Sequence, residues 1–308
     1  MRVSSIFGLG YVGAVSSGCL ATDGHHVIGV GPNQTKVDLI NSRISPIVEK
    51  DIGEMIATEV ESGRLRATTS VQDAVSASEV SLICVGTPSQ LNGNLDHSHV
   101  RRVCEQIGGA LRSKADFHAV IARSTMLPGS MRTTVIPILE AAAGQESAGV
   151  DFGVCNNPEF LREGTAVWDY HHPHKTVIGE TDSRAGDVLA SLYAAMSAPL
   201  VRTSLEVAEI VKYADNTWHA LKVANSNEIE NVAKAMGIDG REVIEIFCQD
   251  TKLNLSSYYM KPGFAFGGSC LPKDVRALNY KARNLDLKAP VPNSILPSII
   301  PTSNALLT

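Results

Sequence analysis

Two segments of the 308-residue sequence concentrate residue types that do chemistry. The first is Gly8-Leu9-Gly10-Tyr11-Val12-Gly13, a G-x-G-x-x-G turn that follows an apolar run and opens a helical pattern. Glycines at these places allow a tight turn, close approach of backbone to a diphosphate, and close helix–strand packing. The diphosphate then sits on the amides of the helix N-terminus. The N-terminal position and a second strand pattern at 26–30 set this turn apart from an ordinary strand–turn–helix with small residues. The same fingerprint expects an acid at the end of the second strand, bonded to the adenosine ribose hydroxyls. Gly31, followed by Pro32, stands there instead. Its absence removes a charge-assisted hydrogen bond of about 1.5–3 kcal/mol. Gly31 does not by itself create a site for a 2′-phosphate, because the nearest cation is Lys36, which either contacts a phosphate or is a solvated helix residue. NAD is the cofactor expected.

The second segment is GFAFGGSCLPKD, in which Cys270 is flanked by Gly267, Gly268 and Pro272 and followed by Lys273 and Asp274. Glycine-rich backbone leaves a thiol accessible and offers amides to a developing oxyanion, and cationic neighbours favour the charged thiol. An arbitrary cysteine is more often a buried packing residue. The local composition here points to a nucleophile. Lys212, Asn216, His219 and Asn227 fall at about 0°, 40°, −20° and 60° around a helix, so they form one stripe. Spacing alone favours a solvated face over a pocket lining. Glu159 and Glu163 share a face if their segment is helical, although a Pro-Glu opening also suits an ordinary helix start. Thr87 and Thr125 follow strand patterns and belong at the carboxyl edge of a parallel sheet, where such sheets bind ligands. The run His171, His172, Pro173, His174 reads as a surface loop, not a metal site.

These groups need a frame. Strand patterns ending at Phe7 and at 25–30, 80–85, 118–123, 151–155 and 175–179 alternate with helical patterns near 11–22, 33–41, 51–62, 97–112, 129–142 and 182–197. That alternation predicts a doubly wound α/β Rossmann-like sheet, mostly parallel and covered on both faces, over 1–200. A helical domain over 201–288 follows, with one long helix over 204–236, another near 239–249, and the cysteine segment. Four prolines mark 289–308 as a loosely docked tail. A helix of about 50 Å exceeds what one small domain buries, so it crosses a second domain or packs on a twin subunit, and a dimer is expected. The net charge of −5 lacks the cationic footprint of a nucleic-acid partner. No apolar run reaches the length of a membrane span, and six cysteines without a metal spacing suit reduced thiols in the cytoplasm.

FGLGYVG, CVGTPS, RSTMLPG, NPEFLREG, EVAEIVKYADNTWHA and CQDTKLNLSSYYMKPGFAFGGSCLPKDVRAL together resemble the nucleotide-sugar 6-dehydrogenases, from the N-terminus to about residue 288. The last of these favours the GDP-mannose branch over UDP-glucose relatives. The resemblance implies a homodimer and NAD-dependent, four-electron oxidation of a sugar C6 alcohol to a carboxylate. Cys270 is then the nucleophile, through a thiohemiacetal and a thioester. Lys212 and Asn216 stabilise the oxyanion, Glu163 serves acid–base work, and Asp274 and Thr125 orient lysine and water. Glu163, Lys212, Asn216, His219, Asn227, Tyr258, Tyr259, Lys261 and Gly267 contact substrate, some across the dimer. Tyr11, Val12, Lys36, Thr87, Thr125 and Lys273 join the glycines on the dinucleotide. The family carries a third, nucleotide-binding domain where this sequence has its Pro-rich tail. Impaired turnover, or a non-catalytic dimerising or nucleotide-binding chain, is therefore the rival expectation. A two-electron hydroxy-acid dehydrogenase shares the layout but needs no cysteine.

Overall fold

The computed structural model describes residues 2–144, 151–252 and 270–284. The strands are β1 (Val3–Phe7), β2 (His26–Val30), β3 (Leu65–Thr68), β4 (Val80–Ile83), β5 (His118–Ala122), β6 (Phe152–Asn156), β7 (Thr176–Glu180) and β8 (Leu200–Thr203). They form one sheet in the order β3-β2-β1-β4-β5-β6-β7-β8. Neighbours from β3 to β6 run parallel, whereas β7 is antiparallel to β6 and parallel to β8. The helices are α1 (Tyr11–Thr22), α2 (Gln34–Asn41), α3 (Ile52–Glu61), α4 (Val71–Ala77), α5 (Ser98–Leu111), α6 (Ile136–Ala143), α7 (Ala166–His171), α8 (Ser183–Leu192), α9 (Leu205–Ala235), α10 (Gly240–Phe247) and α11 (Leu271–Asn284). A π-helical turn, Met131–Val135, precedes α6. It ends just before Pro137, whose missing N–H interrupts α-helical pairing.

Strand periodicity divides the core into two layers. Ile6, Leu82 and Ile121 face one layer with Val15 and Cys19 of α1, Ile52 and Ile56 of α3 and Leu189 of α8. Their strand neighbours Phe7, Ile83 and Val120 face the other, with Ala74 of α4, Val100, Cys104 and Ile107 of α5 and Leu139 of α6. This is the doubly wound α/β architecture expected from the alternation of strands and helices.

The chain divides into two compact units, one of Met1–Thr87 with Asp96–Lys212, the other of Pro88–Leu95 with Tyr213–Thr308. In the first, the opening turns of α9 are fastened by charge and close packing. Glu209 is buried and accepts from the amides of Gly129 at 2.7 Å and Met131 at 2.9 Å, capping the helix that follows β5. A Cβ on Gly179 would lie 2.6 Å from that of Ala208, so the strand residue must stay small. In the second unit Ala220 and Val275 are buried between α9 and α11, with Leu221, Val223 and Leu271 packed around them.

Three departures from the sequence reading have physical reasons. β3 and β8 are the edge strands, and short edges need no continuous apolar run, so Arg66 and Arg202 hide them. The strand signal therefore extends to 203. Residues 157–165 form no helix, so Glu159 and Glu163 do not share a helical face. A helix, α11, begins directly after Cys270, with Pro272 in its first turn. The segment 289–308 lies outside the described residues.

One buried polar chain threads the sheet. Ser78 Oγ donates to Ser5 Oγ at 3.0 Å, Ser5 and Ser81 hydroxyls are 2.8 Å apart, and Ser81 Oγ lies 2.7 Å from His118 Nε2. Burial, aided by the Lys114 ammonium, pushes the His118 imidazole down from 6.5 to about 3. The unfolded chain thus binds a proton between those values that the native chain refuses. The His118 contribution is complete above about pH 6.5 and is lost as pH falls towards 3, with a slope of up to about 1.4 kcal/mol per pH unit. Urea midpoints followed from pH 7 to pH 4 should fall less steeply in His118→Gln than in the parent. Parallel curves would reject this assignment.

Candidate active site

The glycine turn has the geometry its residue types demand. Gly8 has φ +106°, and a Cβ there would lie 2.8 Å from the Cys84 carbonyl oxygen. A Cβ on Gly13 would fall 1.7 Å from the Gly8 carbonyl oxygen. Gly10 faces open space, and no side chain caps the first turn of α1, which Tyr11 and Val12 open. An anion on those amides would complete the helix end, so the cradle fits a dinucleotide diphosphate. Beside it a cavity of about 200 Å³ is lined by Leu9, Gly10, Gly31, Pro32, Asn33 and Lys36. The Lys36 ammonium donates to the Leu9 carbonyl at 3.1 Å, and the Asn33 side chain caps α2 by accepting from the Lys36 amide at 3.2 Å.

Loops at the carboxyl ends of β4, β5 and β6 are stitched together. Thr87 Oγ1 donates to the Thr125 carbonyl at 2.7 Å, and Ser124 Oγ donates to the Val85 carbonyl at 2.6 Å. Buried Arg123 donates to Asn157 Oδ1 at 2.5 Å and to Tyr193 Oη at 2.8 Å. Asn157 Nδ2 in turn reaches the Val177 carbonyl at 2.9 Å. This network fixes the chain just before Glu159. The Glu159 carboxylate is buried and pairs with Lys212 Nζ at 3.2 Å. Burial raises its pKa, but the Lys212 ammonium, the Leu161 amide at 2.7 Å and the Arg123 guanidinium outweigh burial and hold it below the usual carboxylate range. Lys212 also sits 5.5 Å from the Phe160 ring centroid. Glu163 lies exposed in the turn beyond. Its neighbour Gly164 donates its amide to Glu49 at 2.8 Å, and Glu49 also accepts from the Tyr11 hydroxyl, which ties this turn to the start of α1.

In the second unit, Asn216 on α9 donates to Asp274, which is fully buried in the first turn of α11, and Lys273 Nζ lies 3.5 Å from Asp274 Oδ1. These contacts seat the start of α11, where the Cys270 carbonyl accepts from the Asp274 amide at 2.9 Å. Cys270 is the one exposed cysteine of six; Cys19, Cys84, Cys104 and Cys155 are buried, and Cys248 is partly so. Burial pushes the Cys84 and Cys104 thiols up to about 12, which makes them inert packing residues. The helical stripe turns inward, against the preference drawn from spacing: Lys212 and Asn216 are buried, and His219 and Asn227 are half-buried. Tyr258, Tyr259, Lys261 and Gly267 lie outside the described residues. No cluster of three or more metal-ligating side chains occurs among the described residues. His171 instead approaches Asp23 at 3.5 Å, and His172 stacks on Trp168 at 3.7 Å between centroids.

Sequence reasoning missed Arg123, Glu49 and Glu209, and it weighed Glu159 only as a helical neighbour of Glu163. The available signals were a charge directly after the apolar run Ala119–Ala122 at Arg123 and an acid set between Pro158 and Phe160. Either charge needs a buried partner. Replacing Glu159 by Gln takes one carboxylate away from the buried Lys212 ammonium. The expected loss is about 3–5 kcal/mol, read from urea unfolding of the two proteins. A change below about 1 kcal/mol, the range of exposed pairs, would show that the pair is solvated.

Residues 1–197 match the NAD-binding domain of the UDP-glucose/GDP-mannose dehydrogenase family, and residues 206–298 match its central domain. A GDP-mannose 6-dehydrogenase of Azotobacter vinelandii is 57% identical over 298 residues, which are 97% of this chain and 68% of that protein. The 1.55 Å crystal structure of a ternary complex of GDP-mannose dehydrogenase from Pseudomonas aeruginosa shares 56% identity and superposes with a TM-score of 0.81, over 97% of this chain and 68% of that one. A UDP-glucose dehydrogenase from the hyperthermophilic archaeon Pyrobaculum islandicum superposes with a TM-score of 0.92 at 36% identity, over the same shares of 97% and 68%. No described helix is long and apolar enough to cross a membrane. With its diphosphate cradle and both domain matches, the chain belongs to the UDP-glucose/GDP-mannose dehydrogenase family and is an NAD-dependent dehydrogenase of that family.

Proposed function

We propose that the chain oxidises the C6 alcohol of GDP-mannose to the carboxylate of GDP-mannuronate, releasing four electrons in two stages. The observation that carries this reading is the exposed thiol of Cys270 at the start of α11, the other five cysteines being buried or partly so. NAD supplies the hydride acceptor for each stage. Gly8, Gly10, Tyr11, Val12 and Gly13 hold its diphosphate, and Lys36, Thr87, Thr125 and Lys273 complete its binding. Oxidation of the alcohol leaves an aldehyde, and the Cys270 sulfur adds to its carbon to give a thiohemiacetal. Loss of a second hydride makes a thioester; water adds, the C–S bond breaks, and the thiol is restored. Summed, alcohol, water and two NAD give carboxylate, two NADH and three protons. A thiolate suits both roles, as a soft nucleophile and a good acyl leaving group.

Lys212 and Asn216 stabilise the oxyanion, with Glu163 in acid–base work and Asp274 and Thr125 as orienting groups. Glu163, Lys212, Asn216, His219, Asn227, Tyr258, Tyr259, Lys261 and Gly267 contact the sugar nucleotide. The buried states of Lys212 and Asn216 support these roles, because a desolvated charge acts more strongly on a developing oxyanion. The reading assigns the dinucleotide to 1–200 and the thiol to 201–288, in a reducing cytoplasm where Cys270 stays a thiol and forms no disulfide. Purified protein with NAD and GDP-mannose should yield two NADH per sugar, and Cys270→Ser should stop acid formation. One NADH per sugar, or an undiminished Cys270→Ser rate, would overturn the cysteine pathway.

A UDP-glucose substrate is the second reading, favoured by the higher TM-score with the Pyrobaculum enzyme. TM-score reports backbone, whereas base recognition depends on side chains, and identity is higher to the GDP-mannose enzymes. Turnover with UDP-glucose but not GDP-mannose would reverse the choice.

The chain also forms a homodimer along α9 in this reading. Trp218 and Ile229 on α9, Met236 just beyond it, and Ile246 and Phe247 on α10 are exposed apolar side chains. Sedimentation should give twice the 32.8 kDa chain mass, and a monomer at micromolar concentration would dismiss this contact.

A further inference from the structure

We propose that the adenosine end of the dinucleotide site accepts a 2′-phosphate, so that the chain binds NADP as well as NAD. The inference rests on the dinucleotide reading of the glycine turn and concerns one position beside it. Gly31 directly follows Val30, the last residue of β2, where a carboxylate that grips ribose hydroxyls and repels a 2′-phosphate belongs. Nothing in the backbone requires glycine there. Gly31 is absent from the positive-φ glycines, and the nearest atoms a Cβ would meet belong to the Leu9 side chain, at an ordinary 3.4 Å. The missing carboxylate is therefore a property of the site and not a demand of the turn.

The cavity this leaves carries one charge, and it is positive. Of its six lining residues, Lys36 alone is ionic. The ammonium of Lys36 is not a solvated tip: it donates to the Leu9 carbonyl, inside the glycine turn, at 3.1 Å. The nearest acid on the same helix, Asp38, is exposed and accepts from Gln34 Nε2 at 2.8 Å. A 2′-phosphate brings a charge of roughly −1.5 to −2 at neutral pH. In a site with a ribose-binding acid that charge is repelled; here it meets an ammonium already held at the cavity wall, and lysine binds phosphate as a point charge.

Isothermal titration of the full chain with NAD and with NADP, without substrate, tests the assignment. The two dissociation constants should agree within about threefold. Gly31→Asp should tighten NAD and weaken NADP, each by about tenfold, the size of one charge-assisted hydrogen bond. Lys36→Met should weaken NADP by about tenfold and NAD by less. NAD binding with NADP more than tenfold weaker in the parent chain overturns the proposal and leaves the NAD reading intact. Failure of both dinucleotides to bind overturns both.

Discussion

The buried pair of Glu159 and Lys212 is the constraint on which the loops at the carboxyl edge of the first unit's sheet depend. Neither charge is stable inside the protein alone, so each dictates where the other's backbone runs. Lys212 is fixed by the opening turns of α9, which Glu209 fastens to the amides of Gly129 and Met131. Glu159 is fixed by an irregular loop that Arg123, Asn157 and Tyr193 hold from below. A loop with so many directed bonds needs no helix to be rigid. The polar network gives the segment from Asn157 to Leu161 one conformation, and that conformation keeps an ammonium dry.

The same logic operates in the second unit, where a neutral amide takes the place of the ammonium. Asn216 and Asp274 are both buried, and the amide-to-carboxylate bond between them seats the first turn of α11 on α9. Cys270 immediately precedes that turn, so its position follows from Asp274 four residues later, whose amide bonds back to the Cys270 carbonyl. The exposed thiol is thus presented by a buried carboxylate. Cys84 and Cys104 show the contrast: embedded in the sheet and in α5, they carry no such apparatus and serve only packing.

At the dinucleotide end, shape and charge are set by different residues. Gly8 and Gly13 are needed because backbone atoms stand where a Cβ would go. Gly31 is under no such pressure, and the side chain it lacks alters only the electrostatics of the cavity beside it. A substitution there changes which dinucleotide is preferred without disturbing the turn. Specificity and fold are separable at this point of the chain.

The strand–helix alternation, the glycine turn and the long helix were legible in the sequence because each is a local pattern: period two, period 3.6, or a backbone conformation only glycine tolerates. The exposure of the Cys270 thiol was legible as well, through the glycines and proline around it. The edge strands β3 and β8 were not, since an edge need bury little, and neither was the irregular path of 157–165, whose order comes from Arg123, Asn157 and Tyr193 far apart in the chain. Spacing placed Lys212, Asn216, His219 and Asn227 on one face of α9, but burial, which decides whether that face is solvated, depends on what packs against it. Likewise Gly31 and Lys36 could be read as neighbours in sequence, while the turn of the Lys36 ammonium onto the Leu9 carbonyl required the folded chain. Local patterns fix the backbone; the partners of buried charges are chosen by tertiary contact, because a charge removed from water must find its counterpart wherever the fold supplies one.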